Sequence, residues 1–350
     1  MRKTIGVLTN FMGGAQRPYE RDFSNAVADA AKQHDSKVIF YEGGLIRSAM
    51  ENENQRNFVF DLCRGDRLDG LLILSAVLGG YVQAETIYDF CASFGDIPKI
   101  SAGMQVPGIP SVLINNYYAM RTIVDHIFER HEPRSVVYIG GPINNTESRE
   151  RYRAVCDGLS AGGITLDPEL YLTGIYTKDS GRKAAETLLT KRMRPFDTVI
   201  AANDEMAFGF VEYMAEHGIS CPGDYRIVGF DNVPASPLFI PALTTVEQST
   251  LDLGDLSFEL LCQLLDGETV PEVTWLSTHL IVRDSCGCRE GPLTGEKGGS
   301  DQAERVLSLK KELLRNERQE YILNTVSEGL INTTTMEQLR YVLDRDLPKL

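Results

Sequence analysis

The sequence predicts a layered α/β fold with parallel sheets, and three observations carry that prediction. Short apolar runs alternate with amphipathic helical stretches from the first residues onward. Two of those runs, Thr198 to Ala202 and Arg226 to Phe230, end in amide and carboxylate side chains, Asn203-Asp204 and Asp231-Asn232. A hydrophobic content of 43% in 350 residues supplies core for about two domains of ordinary size. Buried parallel strands deliver polar groups at their carboxyl edge, where open α/β sheets bind ligands. Asn203, Asp204 and Asp231 are therefore expected in one crevice. The rival reading is that Asn203 or Asp204 merely caps the helix that follows, Glu205 to Ala215; two strand ends with the same chemistry favour a site.

Taken in order, Ile5 to Leu8 reads as a strand, Tyr19 to Lys32 as a helix with Phe23, Val27, Ala30 and Ala31 at helical spacing, and Lys37 to Tyr41 as a second strand. Asn57 to Arg64 is helical, and Leu71 to Leu74 is a buried strand. Val112 to Ile114 is a strand ending at Asn115-Asn116, followed by a helix over Met120 to Arg130 with Ile123, Ile127 and Phe128 on its apolar face. Val136 to Ile139 opens a second βαβ series, so the chain crosses to a second unit near residue 131. A helix around Val155 and Leu159, a strand at Tyr171 to Gly174 and a helix over Gly181 to Thr190 come next. Leu243 to Val246 begins the return to the first unit, Leu251 to Leu265 is a leucine-rich helix, and Leu280 to Val282 is the last strand.

The runs YRIVGFDNVPASPLFIPALTTVEQ and LIVRDSCGC, with PSVLINNYYAMRTIVDHIFERHEPRSVVYIGGP, resemble the effector-binding core of LacI-type repressors and periplasmic sugar-binding proteins over Lys3 to Cys288. The resemblance implies the type 1 periplasmic binding protein fold, two Rossmann-like lobes with a ligand between them, here with a helical C-terminal extension. It divides the chain into one lobe of residues 1–131 and 247–275, a second of 132–246 and 276–288, a linker at 289–300, and a signalling helix with the start of a GAF-like output domain at 301–350. It also implies ligand contacts from Asp231, Asn203, Asp204 and Arg151 in the second lobe. The first lobe would add Asn10, Phe11 or Tyr19, Ser75, and Asn116 to Tyr118, with Gln248 at the hinge. An Arg fork at 151 suits hydroxyl or carboxylate recognition. The family form has Asp-Asn where this chain has Asn115-Asn116.

Composition excludes several classes. The net charge of -14 argues against phosphate-backbone contacts by this chain, so no direct nucleic-acid contact is expected. No apolar run is long enough for a membrane span. The opening MRKTIGVLTN is too short for a signal-peptide core and has no small-residue cleavage site after it, giving a cytoplasmic expectation. Seven cysteines at 63, 91, 156, 221, 262, 286 and 288 fit free thiols. Cys286-Gly287-Cys288 is their one close pair, and the histidines at 34, 126, 131, 217 and 279 show no ligand spacing, so no metal and no cofactor are expected. Gly13-Gly14 is not a dinucleotide fingerprint, and G-x-S-x-G, H-E-x-x-H and P-loop motifs are absent. Asp204 and Asp231 as a glycosidase-like pair have no further support.

A binding protein for a small polar ligand, sugar or nucleoside-like, is the reading that remains, and the resemblance implies that it works as a homodimer. Three settings fit it: a sensor passing occupancy to an output domain, a transcription regulator whose DNA-binding part lies outside these residues, and a transport receptor. The helix-turn-helix that the resemblance would place ahead of Lys3 is not in the sequence. The helix after Asp301, with Val306, Leu309 and Leu313 at a/d spacing, favours the first setting.

Overall fold

The apolar runs form strands wherever β-branched and leucine residues cluster, and amphipathic stretches cover them. The structure, a computed structural model, describes residues 2–10, 18–48, 51–65, 68–80, 82–192 and 194–288. The expectations placed on Phe11, on the 289–300 linker and on 301–350 lie outside the described residues.

In the first half the elements are β1 (Thr4–Asn10), α1 (Pro18–Gln33), β2 (Lys37–Gly43), α2 (Glu51–Arg56), α3 (Phe58–Gly65), β3 (Gly70–Ile73), α4 (Ser75–Leu78), α5 (Ala84–Ala92), β4 (Lys99–Ala102), β5 (Ser111–Ile114) and α6 (Asn116–His131). The second series is β6 (Val136–Gly140), α7 (Thr146–Ala161), β7 (Tyr171–Thr173), α8 (Lys178–Thr187), β8 (Thr198–Ala201), α9 (Asp204–Glu216) and β9 (Arg226–Val228). The chain closes with β10 (Thr245–Gln248), α10 (Thr250–Leu265), β11 (Val273–Leu276) and β12 (Thr278–Ile281).

These strands build two parallel sheets. The larger has the order β11-β5-β4-β3-β1-β2 and the smaller β7-β6-β8-β9, with every pairing in both parallel. That is the two-lobed α/β class the sequence predicts. α10 packs back under β3, β4 and β5, and β11 joins the edge of the larger sheet, so the chain passes between the sheets three times. The last strand, β12, pairs antiparallel with β10 in a two-stranded ribbon of its own, and Leu280 and the following Val282 pack against the core of the smaller sheet.

The core follows the sheets. Leu8, Tyr41, Phe60, Leu71, Ile73 and Ile87 pack on one face of the larger sheet, and Tyr138, Ile139, Val199, Ile200, Phe210 and Phe230 around the smaller. α8 and α9 cross backbone to backbone because glycines face each other there. A Cβ at Gly209 would lie 1.9 Å from the Lys178 carbonyl oxygen, and one at Gly181 would lie 2.0 Å from that of Met206.

Asp204 is the pin of the second lobe, not a group of the crevice. It is fully buried. One carboxylate oxygen accepts from the Val233 amide at 3.1 Å and the Ser236 hydroxyl at 2.6 Å, and the other accepts from the Thr245 hydroxyl at 2.7 Å. Its own amide donates to the Phe230 carbonyl at 2.8 Å. The loop after β9 and the start of β10 thus hang from one carboxyl, and Gly229 is small so that this carboxyl can approach. Burial raises the Asp204 pKa to about 7 against the pull of those hydrogen bonds. In the unfolded chain the same carboxyl ionises near pH ~4. Its stabilising contribution is therefore full below that value and declines as pH rises through about 7. We predict that Asp204→Ala lowers the unfolding free energy by on the order of 3 kcal/mol near pH 5, because the buried Val233 amide loses its acceptor. The deficit should shrink near pH 8. Urea denaturation of both proteins at the two pH values tests this, and a deficit that grows with pH would contradict it.

Candidate ligand-binding site

Arg151 stands at the centre of the polar groups that the strand ends bring together. It lies on α7, which starts where the Asn145 side chain accepts the Ser148 amide at 2.8 Å. The Arg151 side chain is only 3% exposed. Its Nε donates to Asn116 Oδ1 at 2.7 Å, and one terminal nitrogen donates to the Ala202 carbonyl at 2.6 Å. Asp231 lies 3.8 Å away and Glu147, one helical turn back, 3.7 Å. The guanidinium carbon sits 3.8 Å above the Phe230 ring and 5.8 Å from that of Tyr176.

Asp231 is held from the other side. Gln248 donates to its carboxylate at 2.5 Å, and its amide donates to the Val246 carbonyl at 2.9 Å. Asp231, Asn232 and Tyr176 have positive φ, at 118°, 52° and 62°. Such backbone costs about 1–3 kcal/mol per residue and collects at ligand clamps. Burial pushes the Asp231 carboxyl well above its ordinary range, with Arg151 pulling the other way, and it pushes Glu147 up as well. Burial also works against the Arg151 charge, and the facing Tyr176, Glu147 and Asp231 more than restore it.

The same group holds buried polar atoms without a hydrogen bond of normal geometry among the described residues: Glu147 Oε1, Tyr176 Oη and Gln248 Oε1. Buried orphans are uncommon in folded proteins, and three in one cluster mark a place built for something else to bond. Donors, acceptors and aromatic faces in this mixture suit a ligand with hydroxyl or carbonyl groups. A nucleophile with an adjacent base is not part of the cluster.

The structure brings together Arg151, Asn116, Asp231 and Gln248 of the residues expected from sequence. Asn203 adjoins them, yet its amide is spent on structure: Oδ1 accepts the Met206 amide at 3.0 Å, capping α9, and Nδ2 donates to the Tyr176 carbonyl at 3.1 Å. The capping reading is therefore the observed one, and it also fixes the Tyr176 backbone. Asp204 faces inward, as described above, because three internal donors claim it. Tyr118, on α6, is 68% exposed, with its ring edge-on to that of Tyr117. Ser75 is wholly buried in the first lobe, accepting from Ser101 Oγ at 2.8 Å. Asn10 is buried at the end of β1, and Tyr19 is half-buried on α1.

Asn115, which replaces the family's aspartate, accepts the Tyr118 amide at 3.1 Å and caps α6, a task an amide oxygen performs as a carboxylate would. Sequence reasoning missed Glu147, Tyr176 and Phe230. Glu147 had a usable signal, since it sits four residues before Arg151 and so shares its helix face. The left-handed turn at Tyr176 had none.

A surface cavity of about 340 Å³ lies by Lys3, His34, Ser36 and Asp266, at the opposite, N-terminal edge of the larger sheet. Elsewhere, His126, His131, Cys286 and Cys288 converge, with ligand atoms all within 4.8 Å of one another. This corrects the expectation that the histidines hold no ligand pattern. The halves of the cluster are more than 150 residues apart in sequence, so local spacing could not show it.

Residues 124–286 match the family model described as the periplasmic binding protein-like domain. The chain is 27% identical to catabolite control protein A of Priestia megaterium over 255 residues, covering 71% of this chain and 74% of that protein. It is 24% identical to the HTH-type transcriptional repressor PurR of Pasteurella multocida over 294 residues, 82% of each. Among solved structures, a complex of the transcriptional regulator CelR with cellobiose superposes with a TM-score of 0.68 at 26% identity, covering 81% of this chain and 85% of that one. The transcription regulator CcpA of Lactococcus lactis superposes with a TM-score of 0.69 at 22% identity, covering 81% and 99%, a likeness of fold. These relatives are transcriptional regulators. Residues 124–286 thus match a periplasmic binding protein-like domain, and the chain is similar over most of its length to such regulators.

Proposed function

We propose that this chain is a small-molecule sensor module of a regulatory protein, taking a sugar-like or nucleoside-like ligand at Arg151 and Asp231. The observation that carries the reading is the cluster of a nearly buried guanidinium, strained backbone at Asp231 and three orphaned polar atoms at the carboxyl ends of β8, β9 and β10. A regulator of similar fold was solved with cellobiose, which supports a carbohydrate class. In this reading Asn10, at the end of β1, adds a ligand contact from the larger sheet. The three passages of chain between the sheets act as hinges, and Gln248 ties one of them to Asp231. Ligand biases the lobes only through its differential affinity for the closed state. The output, transcriptional or signalling, acts through parts beyond the sensor core in a homodimer, as in the lac repressor solved as a dimer on operator.

Calorimetry against a panel of mono- and disaccharides and nucleosides should find one binding class. Arg151→Lys keeps the charge and removes the fork, and Asp231→Asn keeps the shape. Each should weaken that ligand at least about tenfold, or ~1.4 kcal/mol, whereas Tyr118→Ala should bind like the parent. Parent-like affinity in both site variants would overturn the assignment.

Assembly is open to a separate check. Sedimentation velocity at micromolar concentration should give a dimer; a monomer both with and without ligand would sink that part of the proposal.

A further inference from the structure

The His126, His131, Cys286 and Cys288 cluster stands apart from the sensor groups, and its geometry is built on both sides. His126 and His131 lie on α6, His131 being its last residue before Glu132 turns left-handed at φ 45°. The two ring centroids are 5.6 Å apart. Cys286 ends a 3-10 turn, Asp284–Cys286, held in place through its middle residue. Ser285 Oγ donates to the Ile227 carbonyl at 2.7 Å and accepts the Thr244 amide at 2.8 Å. Gly287, at φ 85°, then reverses the chain so that Cys288 joins Cys286 on the same side. Cys288 Sγ is 3.2 Å from His131 Nε2 and 3.7 Å from His126 Nε2.

A tetrahedral zinc ion with bonds of about 2.0–2.1 Å to nitrogen and about 2.3 Å to sulfur places neighbouring ligand atoms roughly 3.3–3.8 Å apart. Of the two sulfur–nitrogen distances, 3.7 Å falls within that range and 3.2 Å lies just below it. Two imidazoles and two thiols are also a ligand set that zinc prefers and that calcium and magnesium, which want oxygen, do not. We propose that these four side chains form a closed zinc site that pins the end of the sensor core to α6. Four protein ligands leave no open position, so the role is structural rather than catalytic. On binding, zinc(II) forms bonds to two sulfurs and two nitrogens, and the two thiol protons pass to solvent. No oxidant or reductant is required.

The test uses the full chain purified with reductant. After treatment with chelator and desalting, it should take up one zinc per chain. Cobalt(II) in its place should show the visible bands of a tetrahedral ion and a thiolate charge-transfer band. Zinc should raise the melting temperature of the parent. Cys288→Ser and His131→Gln should lose the charge-transfer band or weaken zinc at least tenfold, while Cys156→Ser, which removes a thiol elsewhere, should match the parent. The proposal fails if the reduced parent takes up no zinc, or if Cys156→Ser loses as much as Cys288→Ser. It also fails if the chain prepared without reductant is lighter by two hydrogens in a Cys286–Cys288 disulfide and the reduced form still does not bind metal. Where a ligand variant does not fold, the cobalt spectrum of the parent alone decides, because thiolate charge transfer requires the cysteines.

Discussion

A charged guanidinium that is almost out of water is the constraint on which the rest of this structure depends. Removing an ion from water costs several kcal/mol, and only close partners of good geometry offset it. Arg151 finds them on four separate segments: Asn116 at the start of α6, Ala202 after β8, Phe230 and Asp231 after β9, and Glu147 on its own helix. None of these partners is optional once the charge is buried. The ends of β8 and β9, the start of α6 and α7 itself are thereby held at mutual positions that sheet hydrogen bonds alone would not specify.

The constraint explains why strained backbone persists at Asp231 and Asn232. Their positive φ would relax if the loop after β9 were free. It is fixed twice, by Arg151 on the cleft side and by the Asp204 carboxyl on the inner side, where Val233 and Ser236 attach. The two aspartates look alike in sequence, each following an apolar strand. Their roles divide because Asp204 meets internal donors from a segment some thirty to forty residues onward, whereas Asp231 meets a cation and the Gln248 amide.

That division marks the limit of what local sequence conveys. Alternating apolar runs and helices made the α/β class and the parallel sheets legible, because strand and helix periods are local properties. That the Arg151 and Asp231 cluster gathers at a carboxyl edge was legible for the same reason, since polar residues ended the runs. Which way each polar side chain turns was not. Tyr118 follows Asn116 by only two residues yet lies on the outer side of α6, since Asn115 caps that helix and sets its phase. The pairing of β12 with β10, and the meeting of Cys288 with His131, depend on contacts far apart in sequence.

α6 connects the two ends of the picture. It is 16 residues long, about 24 Å at the rise of an α-helix. Its first residue, Asn116, bonds Arg151, and its last, His131, faces Cys288. A helix transmits displacement along its axis as a nearly rigid rod, so whatever repositions the Asn116 and Arg151 pair shifts the His131 end with it. Transfer of that shift to the end of the sensor core requires that the His131 end be fastened to it. Fastening at Cys286 and Cys288 supplies this condition, and it does so on the same helix that senses the guanidinium cluster. In the proposed reading, the sensor groups and the four-ligand cluster are therefore mechanically in series, with α6 as the element common to both.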